Sequence, residues 1–157
     1  MNYCIPKMIE DLKNGISKND VQFYMYGEPL EVGEITGGLI IVNPVTTEIT
    51  PKATGVIDQD SDIIEIILVK NFKTSAYQNA SQAGDVEFLT RVMRGKDSNN
   101  DLLSNSIVSI IRSNFKSYGI NQPSLSIDWS DKRFQKEGLV AATLTVRQNS
   151  LGNQNIN

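Results

Sequence analysis

Between residues 85 and 147 the chain reads DVEFLTRVMRG (85–95), LLSNSIVSIIRSNFKS (102–117), SLSIDWS (124–130) and LVAATLTVR (139–147). The apolar spacing changes midway. Val86, Phe88, Leu89, Val92 and Met93 fall on one half of a helical wheel, with Glu87, Thr90, Arg91 and Arg94 on the other, and Gly95 ends the pattern. The second segment predicts a helix over 102–117 that buries Leu103, Ile107, Ile110, Ile111 and Phe115 and exposes Asn105, Ser109, Arg112 and Lys116. After Tyr118-Gly119 the period drops to two. Leu125, Ile127 and Trp129 alternate with Ser124, Ser126, Asp128 and Ser130; Val140, Ala142, Leu144 and Val146 alternate with Ala141, Thr143, Thr145 and Arg147. That is a hairpin with one face inward, joined by the charged connection Asp131 to Glu137. Trp129, on the apolar side, is expected as a core ring beneath the helices.

Outward from this stretch, Ile5, Met8, Ile9, Leu12 and Ile16 recur at helical spacing, with Pro6 in the first turn and Gly15 as a C-cap. Val21, Phe23 and Met25 alternate with Gln22, Tyr24 and Tyr26 as a half-buried strand. Gly27, Pro29, Gly33, Gly37 and Gly38 break up the next dozen residues. Leu39 to Val42 reads as a short strand ended by Asn43-Pro44, and Pro51 demotes Val45 to Val56 to an edge or a loop. Asp62 to Val69, nearly all Ile, Leu and Val, is expected mid-sheet with both faces covered. The polar run Asn71 to Gly84 reads as a surface arm with Tyr77 as its large ring, and Gln148 to Asn157 as a frayed tail. The expected architecture is α+β: a mostly antiparallel sheet packed with two to three amphipathic helices and a C-terminal β-hairpin. One domain spans 1–147, with projecting segments near 28–54 and 71–84 and a polar tail at 148–157.

At 157 residues the chain can bury a core without disulfides or metal, and its single cysteine, Cys4, is expected as a small buried hydrophobe. A net charge of −3 argues against sequence-independent duplex binding, which rests on Lys and Arg neutralising phosphates. No basic region followed by an apolar run opens the chain, and Ile63 to Val69 is too short to span a bilayer. A cytoplasmic place of synthesis and assembly is the expectation.

Histidine is absent. The usual general base and the commonest metal ligand are therefore missing, and with them every Ser-His-Asp or Cys-His arrangement. Asp58, Asp60 and Asp62, and likewise Asp97, Asn99 and Asp101, open like calcium loops. The required Gly is replaced by Ile63 or Leu102, and the closing Glu by Val69 or Val108. Gly95-Lys96 lacks the rest of a P-loop. Glu28, Glu31 and Glu34 lie among turn residues that favour solvation over a raised pKa. In the connection Asp131 to Glu137, Lys132, Arg133 and Lys136 with Phe134 allow a phosphate and stacking contact, but a plain charged hairpin tip is the simpler reading. No catalytic residue, cofactor or metal is expected.

The order helix, irregular strands, strong central strand, polar arm, two helices and closing hairpin resembles the tail terminator (tail completion) proteins of long-tailed bacteriophages. The likeness is carried by Ile5 to Asn14, Asp62 to Val69, Leu89 to Phe115 with its Arg94-Gly95-Lys96-Asp97 turn, and Ser124 to Arg147. The resemblance implies a virion protein forming a ring, commonly a hexamer. Such a ring caps the tail tube, stops its polymerisation and offers its other face to the neck or head-completion protein. Genomic DNA would pass through the lumen without specific binding. The family has no catalytic residues to transfer. Phe72, Tyr77, Arg94, Lys132 and Arg133 are the candidate inter-subunit contacts. A head-completion or neck adaptor protein, or a small non-enzymatic phage binding module, is the alternative.

Overall fold

The computed structural model describes residues 4–27, 37–51, 57–71, 87–133 and 139–153. Helix α1 (Ile5–Gly15) buries Ile5, Met8 and Leu12, the apolar stripe read from the sequence. Complete burial of such side chains contributes roughly 1.5–3 kcal/mol each. Cys4 is buried at its N-cap, and burial raises its thiol above the usual range. Gly15 is the last helical residue, and Ile16, not Gly15, is the C-cap. A Cβ on Gly15 would stand 2.5 Å from Ile110 Cδ1, so the glycine serves the close approach of a second helix.

Five strands accompany the helices: β1 (Phe23–Tyr26), β2 (Gly38–Pro51), β3 (Ile57–Asn71), β4 (Asn121–Asp128) and β5 (Leu139–Asn153). They form one sheet in the order β1-β2-β3-β5-β4, with β1 parallel to β2 and every other pair antiparallel. Two more helices lie between β3 and β4: α2, with residues 87–94 described, and α3 (Ile107–Ser113). The architecture is α+β, and β3 is the centre of the sheet.

From Ile66 to Val69 both faces of β3 are buried. Ile64, Ile66 and Leu68 join Ile40, Val42, Ala142, Leu144 and Val146 beneath the three helices. Ile67 and Val69 join Leu39, Ile41, Leu139 and Ala141 on the opposite face. Tyr118 donates a 2.6 Å hydrogen bond from inside the helical core to Asp11 of α1. Burial first, and that bond second, push its hydroxyl far above the usual tyrosine range.

Several expectations are corrected. Leu39–Val42 and Val45–Pro51 are one 14-residue strand, because a register shift between Pro44 and Thr46 lets the ladder step past the missing proline N–H. In β1 the inward residue is Tyr24, while Phe23 and Met25 are exposed. Tyr24 reaches the Leu12 carbonyl at 3.3 Å and sits beneath Lys13, so an amphipathic ring suits the sheet–helix margin; burial moves its hydroxyl up to about 12. Helix α3 begins at Ile107, not at Leu102, because the Ser106 side chain caps it by accepting from the Ser109 N–H. Trp129 is 46% exposed, since it comes after the last paired residue of an edge strand. Residues 148–153, expected to fray, continue β5 along the far half of β3. The segments 28–36, 52–56 and 72–86 lie outside the described residues, and with them part of the first expected arm (28–54) and nearly all of the second (71–84).

Candidate functional site

Beyond Asp62 the strands β2, β3 and β5 run on as a three-stranded ribbon. About six residues at 3.3 Å each carry it roughly 20 Å onward. Every residue of β2 from Val45 to Pro51 is exposed, and its apolar Ile49 is 62% exposed. Ile49 pairs in register with Asp60, so an apolar side chain and a carboxylate share one face of the ribbon. Residues 46–51 and 57–62 contain Glu48, Asp58, Asp60 and Asp62 and no Lys or Arg. Its base is tied across three strands: Thr47 donates to Asp62 at 2.6 Å, and Gln148 donates to the other carboxylate oxygen at 2.8 Å.

At the β4 edge a cleft of about 380 Å³ opens between the sheet and the helices. Leu125, Ile127 and Trp129 from β4 and its end form one wall, and Val108 of α3 contributes to another. Arg94, at the end of α2, and Arg112, in the last turn of α3, line the same cleft. Both are exposed, and neither has a hydrogen-bond or ion-pair partner among the described residues. Two uncommitted guanidinium groups over an apolar, aromatic wall suit a carboxylate carried beside an apolar group.

Of the predicted contact residues, Arg94 lines this cleft. Lys132 is exposed outside it, and Phe72 and Tyr77 lie outside the described residues. Arg133 is committed elsewhere: it binds Asp131 at 2.6 Å and Glu65 at 3.0 Å, while Thr143 donates to Asp131 at 2.6 Å. This network spans the sheet face opposite the helices. Arg112, Trp129, Ile49 and Asp60 were not anticipated as site residues. One signal was present, since Ile49 is a lone apolar residue within Thr46-Thr47-Glu48-Ile49-Thr50-Pro51.

Burial works against the charged form of Asp131, but the bonds from Arg133 and Thr143 prevail and hold its carboxyl at about 2. Because the folded value lies below the unfolded one, its contribution is complete above about pH 4 and disappears as pH falls through about 2. Asp131→Asn should therefore lower stability at pH 7 by on the order of 2 kcal/mol, and by little at pH 2. Denaturant unfolding at both pH values checks this, and an equal loss at both would refute the assignment.

Among the described residues no group of three or more His, Cys, Asp or Glu side chains is placed to hold a metal ion, and no helix is long and apolar enough to cross a membrane. The exposed large hydrophobic residues among those described fall into separate patches: Phe23, Met25 and Tyr26 on the β1 edge, Trp129 at the β4 edge, and Val45 and Ile49 along β2. Compared with known proteins, the chain matches no protein-family model and no curated sequence.

Proposed function

We propose that this chain is a structural protein of a phage virion, a tail terminator. Its copies close into a ring, commonly of six, that caps the tail tube, stops its polymerisation and presents a joining surface to the neck. The function is mechanical and needs no catalytic group. One observation carries the reading: the exposed large hydrophobic residues among those described lie at dissimilar, separate places on the subunit, Phe23, Met25 and Tyr26 on the β1 edge, Trp129 beyond β4, and Val45 and Ile49 along β2. A subunit with one self-complementary patch forms a two-fold dimer. Dissimilar patches at separate places instead favour head-to-tail contact, and head-to-tail contact closes into a ring or continues as a filament. A stable interface of this kind buries about 800 Å² per partner.

The test is polarity of binding. Purified chain is mixed with tails lacking heads, or with filled heads lacking tails, from the phage that encodes it. Electron microscopy should show annular caps at one end of the tails, and tube elongation from those ends should stop. Binding to heads alone would replace the terminator with a neck adaptor. Binding to neither would remove the virion reading.

A further inference from the structure

We infer that the cleft between β4 and the helices is the socket for the β2–β3–β5 ribbon of a second copy of this chain. Ile49 seats against Trp129, Leu125 and Ile127, and Asp60 meets Arg94 and Arg112. This rests on the head-to-tail self-association proposed above, and not on the tail as the place where it occurs.

The argument starts from what each surface lacks. The cleft has apolar walls and two cations without partners among the described residues. The ribbon has the most exposed large hydrophobic residue among those described, and its register neighbour Asp60 has no hydrogen-bond or ion-pair partner there either. Residues directly opposite on an antiparallel pair have Cβ atoms about 4.5–5.5 Å apart. One ribbon face therefore delivers an apolar group and a carboxylate together, the pair that the cleft is built to receive. The charges are complementary, with Asp60 on a ribbon whose segments 46–51 and 57–62 carry no Lys or Arg, against two arginines.

A single copy cannot satisfy itself. The cleft takes in Leu144, which pairs with Ile66, whereas the ribbon contact is at Asp60, six residues away along the same strand. That is roughly 20 Å of extended chain. Socket and ribbon lie on different parts of the subunit, so the contact can run head to tail and propagate around a ring. It leaves the exposed β1 edge, with Phe23, Met25 and Tyr26, for a different surface.

Two measurements on the full chain test this. In a Cys4→Ala background, Ile49→Cys and Leu125→Cys chains are prepared separately, mixed and oxidised. The mixture should yield a disulfide-linked pair, and neither chain alone should. In parallel, Asp60→Arg and Arg112→Glu are examined by sedimentation. Each should weaken self-association about tenfold or more, and the chain carrying both should recover most of that loss. Unchanged unfolding midpoints keep the comparison free of folding defects. An oligomer that forms no such cross-link and ignores both reversals overturns the socket while leaving the ring in place. A chain that stays monomeric at its highest soluble concentration, with no cross-link, overturns it too. Binding to tail ends is scored separately, so the two readings fail independently.

Discussion

Gly38→Ala should destabilise the protein by about 3 kcal/mol or more, lowering the thermal midpoint by about 6–12 °C for a domain of this size. The cause is steric and local. An alanine Cβ would stand 2.3 Å from the Asp20 carbonyl oxygen and 3.1 Å from Phe88 Cζ. A side-chain tip could swing away; the Asp20 backbone cannot easily do so. Its N–H bonds Ser17 at 3.0 Å, its carboxylate takes both Arg91 nitrogens at 2.8 Å, and Val21 next to it is buried. The hydrogen bond from Arg91 holds the Asp20 carboxyl below its usual range, so the clamp is charged at neutral pH. Gly38 is fixed as well: its N–H bonds the Gln22 side chain at 2.9 Å, and its carbonyl accepts from the Gln22 N–H at 3.1 Å. Overpacking typically costs 1–3 kcal/mol, and the upper end applies where neither side can yield. Thermal unfolding followed by circular dichroism reads the effect. A shift under about 2 °C would mean that the Asp20 turn retreats freely, and that the junction between β1, β2 and α2 is looser than its bonds imply.

The same junction shows why the sequence could be read in some places and not in others. Where burial is one-sided and periodic, as in Ile5, Met8 and Leu12, pattern alone identifies the inward face, whereas beside Ala142, Leu144 and Val146 the alternate residues Ala141 and Thr143 of β5 are buried as well. The central strand was also readable, because an unbroken Ile/Leu/Val run has no polar side to turn to water. The failures share a cause: they fall where a tertiary partner overrides a local preference. Pro44 reads as a strand end only until a bulge absorbs it. Gln148 reads as tail until its amide finds Asp62 on the neighbouring strand. Tyr24 displaces Phe23 from the inner face because only the tyrosine has a hydroxyl to place on the Leu12 carbonyl. The candidate site was mostly invisible for a related reason. Arg94 and Arg112 are ordinary solvated positions on their own helices, and only the packing of α2 and α3 over β4 makes them neighbours of Trp129.

Asp62→Ala should cost about 3 kcal/mol, and most of the loosening should appear in the ribbon. Asp62 is 2% exposed, and each of its carboxylate oxygens accepts one cross-strand bond, from Thr47 on β2 and from Gln148 on β5. Those three residues are in register, so one side chain ties all three strands where the ribbon leaves the helical core. Hydrogen bonds to charged groups contribute about 1.5–3 kcal/mol each, and losing a shared acceptor removes two at once. Asp62→Asn keeps one acceptor and turns an amide donor toward the other bond, so about half the loss is expected from it. Hydrogen exchange resolved along the chain separates a ribbon tie from a general core contribution. In the alanine variant, amides in 46–51 and 58–62 should exchange faster, while those of Ile66 to Val69 keep protection close to that of the original chain. If core and ribbon lose protection together, Asp62 is simply part of one cooperative fold. If the ribbon loosens alone, its direction depends on a single buried carboxylate, and the same substitution should weaken self-association without touching either contact surface.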